Sequence, residues 1–190
     1  MAAETSPIEL LKQEHMLVLS ALQCLRGAER AIESGAPADE LPLAELVEFL
    51  DSYLGSVHHA RESALFDLVR LRGSSDWDEV IGQLEEEHSQ GRQLLLAMQM
   101  AIGAFDGGKA GRDELVHRLR EFVGWHWAHI ARENTVVFPE LEGLLTPEER
   151  KRLVSFNEHL DHDLGDGGAA ALEHWGRELF EDFPDLPQEA

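Results

Sequence analysis

Apolar residues recur at i, i+3, i+4 and i+7 along almost the whole chain, while strand signals are nearly absent. That period commits the sequence to helices, each with one stripe that must be buried against another helix. A first helix is expected from the capping box Ser6-Pro7-Ile8-Glu9, with proline at N1, to near Gly35. A loop holding Pro37 and Pro42 leads to a second helix over Leu43 to Arg72, stopped by Gly73. A third starts at Ser75 or Asp76 and runs to about Phe105, where the loop from Asp106 to Gly111 breaks it. A fourth runs from about Arg112 to Phe138, and Pro139 forbids a regular continuation. A second capping box, Thr146-Pro147-Glu148-Glu149, opens a shorter fifth helix ending near Leu164. A last short helix spans Ala169 to Phe180, and the acidic, proline-containing tail beyond it is expected to fray. Short connections between the long helices predict antiparallel neighbours. The fold class is therefore all-α: an up-down-up-down antiparallel four-helix bundle with an extra C-terminal helix or two. Residues 1–190 read as a single domain, with the bundle core at about 6–140 and the added helices at about 146–182.

Each apolar stripe is interrupted by groups that do not belong in a core. The first helix reads Ile8, Leu11, His15, Val18, Leu22; the second reads Leu50, Leu54, His58, Glu62, Leu65; the third reads Ile81, Leu84, His88, Leu95; the fourth reads Leu119, Phe122, His129, Glu133, Val136. Histidine and glutamate in such a stripe are costly unless paired or metal-bound. One phrase occurs twice, as His58-His59-Ala60-Arg61-Glu62 and as His129-Ile130-Ala131-Arg132-Glu133, an offset of 71 residues that suggests a pseudo-repeat of two helix pairs. In both copies the i, i+4 spacing stacks an imidazole and a carboxylate about 6 Å apart on one helix face. The interruptions also fall at one depth. At 1.5 Å per residue, Glu62 lies about 15 Å before the second turn and His88 about 18 Å after it. His88 and His129 both lie about 25 Å from the third turn, and His15 and Glu62 both about 29 Å from the first. Four helices thus deliver His15, His58, Glu62, His88, His129 and Glu133 to one layer. Neutral imidazoles with carboxylates are the donors that first-row divalent metals take.

Composition narrows the partners. The 37 acidic against 16 basic residues give a formal charge of −21, which disfavours nucleic acid and anionic membrane. Cys24 is the single cysteine, so there is neither a disulfide framework nor a thiolate metal cluster, which fits a reducing cytoplasm. The N-terminus carries no basic start or apolar core of a signal peptide, and the longest apolar run, Leu94 to Phe105, is too short to span a bilayer.

On these residues the chain resembles the hemerythrin-like family, also described as the HHE cation-binding domain. Its pattern is a lone His, then HxxxE, a further His and a second HxxxE on four successive helices; here His15, His58/Glu62, His88 and His129/Glu133, covering about residues 6 to 140. The resemblance implies two iron ions, oxo- or hydroxo-bridged, with terminal histidines and with Glu62 and Glu133 as bridges. It also implies a small ligand: O2, peroxide or nitric oxide, bound, sensed or turned over. Zinc or manganese would accept the same donors. Oxygen carriers of the family place two histidines one turn apart on the third helix. Here Leu84 and Arg92 flank His88, which favours redox turnover over carriage. A ferritin-like site is rejected, because its Glu-x-x-His spacing occurs only at Glu85 to His88.

The remaining candidates take plainer roles. Gly91, one turn after His88, is expected to leave room for an exogenous ligand. His126 either replaces the missing histidine or hydrogen-bonds a ligand. His59, one position off the stripe, belongs beside the site or at the surface. His159 and His162 have metal-like spacing on a covering helix and read as exposed, as do His117 and His174. Tyr53 lies off the face of His58. Glu85 to Glu87 read as a solvated face. Trp125, Trp127, Phe66, Phe122 and Phe138 read as core that also dries the site.

Overall fold

The structure is a computed structural model that describes residues 6–35 and 42–183. Among these the chain is helical without a strand: α1 Pro7–Glu33, α2 Leu43–Tyr53, α3 His59–Arg70, α4 Ser75–Gly103, α5 Lys109–Arg132, α6 Phe138–Leu144, α7 Pro147–Asp163 and α8 Gly168–Glu181. The expectations for Pro37 and for most of the C-terminal tail lie outside the described residues.

Two π-helical turns modify the expected helices. Leu54–His58 joins α2 to α3, and Glu133–Val137 joins α5 to α6. Each π turn closes i→i+5 rather than i→i+4, so the residues after it face a different direction from that set by a regular helix. The second and fourth helices are therefore not uniform α-helix across Leu43 to Arg72 and Arg112 to Phe138. Val136, placed in the apolar stripe by simple periodicity, is 52% exposed, and Val137 and Phe138 are buried instead. Pro139 does not end the fourth helix, because it sits at the start of α6, where its missing N–H is not needed.

The capping boxes divide. Thr146 and Glu149 form the reciprocal box at the start of α7. Ser6 does not cap α1; its hydroxyl donates to Glu142 Oε2 at 3.0 Å, a tertiary bond that takes the group periodicity reserved for the local one.

Packing produces two apolar clusters. One gathers Leu22, Leu25, Leu46, Phe49, Leu50, Leu119 and Phe122 with their neighbours. The other gathers Ile8, Leu11, Phe66, Leu84, Phe138 and Leu141. In sequence order α1 contributes to the second cluster and then the first, the α2–α3 segment to the first and then the second, α4 to the second and then the first, and the α5–α6 segment to the first and then the second. Within each, His15, His58, Glu62, His88, His129 and Glu133 are buried at or beside the crossover. α1 packs on α5 and α5 on α4, while α7 covers α3 and α8 covers α2 and α1. No helix among the described residues is long and apolar enough to cross a membrane.

Candidate metal centre

All six sequence-expected residues reach the layer between the clusters, each buried, with Glu62 and Glu133 at 0% exposure. His15 Nε2 lies 3.2 Å from Glu133 Oε2, His129 Nε2 3.2 Å from Glu133 Oε1, and His88 Nε2 3.1 Å from Glu62 Oε2. His15, His58, Glu62 and Glu133 form one group able to hold a metal ion; His88, His129 and Glu133 form another. Despite the short separations, both oxygens of Glu62, both of Glu133, and Nε2 of His88 and His129 are buried without an aligned hydrogen-bond partner. Buried polar atoms are normally satisfied. Here the unpaired atoms gather about shared points.

The outer nitrogens explain the orientation. His15 Nδ1–H donates to Asn134 Oδ1 at 2.9 Å, His58 Nδ1–H to Glu14 Oε2 at 2.9 Å, and His129 Nδ1–H to Glu87 Oε2 at 2.7 Å. Each bond fixes the tautomer and leaves a lone pair on the inward Nε2, the arrangement found behind metal-ligating histidines. His15 Nε2 and His58 Nε2 then face each other at 3.1 Å. Two opposed lone pairs at that distance repel unless a proton or a metal ion lies between them. The donor set therefore fits a metal.

The pseudo-repeat runs deeper than the histidine–glutamate pairs. Glu14 directly precedes His15, and Glu87 directly precedes His88. Each of these carboxylates also takes a charge-assisted bond from the arginine three residues after the histidine it holds: Arg61 on Glu14 and Arg132 on Glu87. Each half of the site is thus an Glu-His doublet on one helix clasped by a His-x-Ala-Arg-Glu phrase on the next. Glu14, Arg61, Asn134, Glu87 and Arg132 were not among the sequence candidates. The doublets and the repeated arginine were visible signals; their contacts were not. Glu87 is accordingly no part of a solvated face, unlike Glu85, which pairs with Arg70 at the surface.

The electrostatics follow from burial. Burial, and then the charge on Glu133, push the Glu62 carboxyl up to about 7. Burial also works to raise Glu133, but the surrounding imidazoles of His15, His88 and His129 outweigh it and hold that carboxyl well below its ordinary range. Burial opposes the charged form of His88, yet Glu133 and Glu62 carry it up to about 9. His58 is pushed down by burial and by His15.

His59 is a correction in part: of the two places expected for it, beside the site or at the surface, it takes the first. It stacks on His88 with ring centroids 4.1 Å apart, and its Nδ1 is buried and unpaired. With Glu62 and His88 it makes a third group able to hold a metal. The π turn that ends at His58 changes the facing that regular periodicity assigned to it. Gly91 is another correction, because it leaves no room for a ligand. A Cβ there would lie 3.0 Å from the Trp125 ring and 3.3 Å from His126 Nε2, so these two side chains already occupy the space. His126 joins none of the metal-capable groups; its Nδ1–H donates to Phe122 O at 3.2 Å. Phe138 stacks on His15 and Trp125 on His129, while Trp127 is 39% exposed and lies outside the core. His117, His159, His162 and His174 are on the surface, as expected. Tyr53 is fully buried with an unpaired hydroxyl.

A family model described as the hemerythrin HHE cation-binding domain matches residues 6–141. Among curated proteins, uncharacterised proteins of Mycobacterium bovis and Mycobacterium tuberculosis are 26% identical over 161 residues, covering 83% of this chain and 62% of theirs. This chain therefore spans less than two thirds of the length of those relatives. No solved structure matches it.

Proposed function

This chain belongs to the hemerythrin HHE cation-binding domain family, and we propose that it is a non-haem di-iron protein that binds or turns over a small ligand: O2, peroxide or nitric oxide. The observation that carries the reading is the set of buried, unpaired Glu62, Glu133, His88 and His129 atoms sharing one pocket with the opposed Nε2 atoms of His15 and His58. His15 and His58 would hold one ion, and His88 and His129 the other. Glu62 and Glu133 each belong to two of the metal-capable groups, which supports their shared, bridging role. His59 would supply a third imidazole to the ion at His88, whose own helix offers none at Leu84 or Arg92. Iron bound there supplies one-electron redox changes and a coordination position for a small ligand.

The chain's own residues set the conditions for that chemistry. Glu14, Glu87 and Asn134 aim three imidazoles inward. Arg61 and Arg132 neutralise the first two of these acceptors, so the outer groups add no net charge to the centre. Phe138, Phe66 and Trp125 pack on the rings and keep bulk water from them.

The order in which successive helices cross the two apolar clusters supports the up-down-up-down arrangement, and α7 and α8 packing on α3, α2 and α1 supports a single domain. Anaerobic reconstitution with Fe(II) tests the reading. Two irons per chain, followed by catalytic consumption of peroxide or nitric oxide, support redox turnover. A stable adduct with O2 and no turnover supports sensing or carriage. Failure to take up iron, zinc or manganese refutes the metal centre.

A further inference from the structure

The two arms that clasp the site end differently. On one, the second amino group of Arg132 reaches only Gln83 at 3.3 Å, within the family-matching segment, and the side chain is 32% exposed. On the other, Arg61 is 4% exposed, and its second amino group donates to Asp161 Oδ1 at 2.8 Å. Asp161 belongs to α7, beyond residues 6–141 that match the family. The same Oδ1 accepts from the backbone N–H of Ala169 in the first turn of α8, at 3.4 Å. The turn between the two helices is fitted to this residue: a Cβ on Gly168, whose φ is +55°, would lie 2.8 Å from the Asp161 carbonyl oxygen. Asp161 thus stands where α7, α8 and α3 meet, at the outer end of an unbroken chain Asp161–Arg61–Glu14–His58.

We propose that Asp161 is a positioning residue that couples the docking of the α7–α8 pair to metal binding at His58. The proposal rests on the reading of His58 as a metal ligand. A cation on His58 Nε2 makes Nδ1–H a stronger donor, which tightens its bond to Glu14. Glu14 keeps its orientation only while Arg61 is anchored, and Arg61 is anchored by Asp161. Coupling of this kind is reciprocal: whatever factor docking adds to metal affinity, metal adds to docking. The C-terminal helix pair is then the element through which occupancy of the centre is read, and the Arg132 arm, ending on Gln83, has no such connection.

Removing a residue that holds a metal-ligating histidine costs about 10- to 100-fold in affinity. Asp161 acts two links further out, through Arg61, and is 46% exposed, so its loss should cost about 3- to 10-fold. The test uses the full chain with zinc alone as the probe. Zinc affinity is measured by competition with a chromogenic chelator, the ligand field is read from Co(II) absorption, and backbone hydrogen exchange of α7 and α8 is compared with and without zinc. In the wild type, zinc should slow exchange across α7 and α8. Asp161→Ala should abolish that slowing, weaken one zinc equivalent by about 3- to 10-fold and shift the Co(II) bands, as expected of a residue that acts on the histidine's partner through Arg61. Asp161→Asn, which keeps the acceptor oxygen, should restore most of each effect, and Gln83→Ala should show the full wild-type slowing. If Asp161→Ala fails to fold, the wild-type exchange comparison decides alone. Two zinc equivalents bound with unchanged exchange in α7 and α8, or an Asp161→Ala protein indistinguishable from wild type, overturns this proposal and leaves the metal centre standing. A wild type that binds no zinc overturns both.

Discussion

Replacing Glu62 by glutamine should make the metal-free protein more stable and the metal-loaded protein less so. Glu62 is at 0% exposure, neither of its oxygens has an aligned partner, and it shares its pocket with the equally buried Glu133. Two carboxylates confined in one low-dielectric pocket repel each other, and a carboxyl raised from 4.5 to about 7 by burial and by Glu133 costs the folded protein about 3 kcal/mol at pH 7, most of which a neutral glutamine removes. Glutamine keeps the shape and adds an N–H2 that can donate to Glu133. A gain near 2 kcal/mol in a chain of 190 residues corresponds to a Tm rise of roughly 4–8 °C. Metal acts in the other direction. Free metal at 100 times its Kd stabilises the wild type by about 2.7 kcal/mol, roughly 5–11 °C. The variant, short of one shared carboxylate, should gain only a small part of that. Thermal unfolding followed by circular dichroism, in excess EDTA and again in a fixed excess of zinc, measures all four values. The order of the two proteins should invert between the two conditions. A variant less stable than wild type in EDTA, or with an equal zinc-induced shift, would refute the reasoning, because Glu62 would then be an ordinary structural carboxylate.

Three further outcomes are expected. Glu87→Ala removes the acceptor of His129 Nδ1–H and the partner of Arg132, so zinc affinity should fall about 10- to 100-fold in chelator competition. Gly91→Ala drives a methyl to 3.0 Å from the Trp125 ring. The overpacking costs about 1–3 kcal/mol against a helix-propensity gain of at most about 1, so Tm should fall or stay level and Trp125 fluorescence should change. His126 is held neutral by burial, which lowers it to about 3. Its contribution to stability is full above its unfolded value near 6.5 and is lost as pH falls toward 3. At pH 5 the loss is about 2 kcal/mol, and denaturant unfolding of His126→Gln in EDTA should show a correspondingly shallower decline between pH 6.5 and 5.

The sequence by itself determined the class of the fold and the core of the site. Helical period fixes which residues share a face, and the interruptions at His15, His58, Glu62, His88, His129 and Glu133 stand out because burying such groups without a partner is costly. Equal depth along four rods is arithmetic on residue number, so their convergence was legible before any contact was known. Only the tertiary structure decided what lies one step outside. Whether Glu14 and Glu87 face solvent or an imidazole depends on the rotation of neighbouring helices, which a helix's own period does not contain. The π turns at Leu54–His58 and Glu133–Val137 break that period locally, and so His59 entered the site while Val136 left the core. Ser6 had a local role by its motif and a long-range one in fact, because Glu142 came within reach. The link from His58 to Asp161 joins residues 103 positions apart in the sequence, and only packing of α7 on α3 could bring them together.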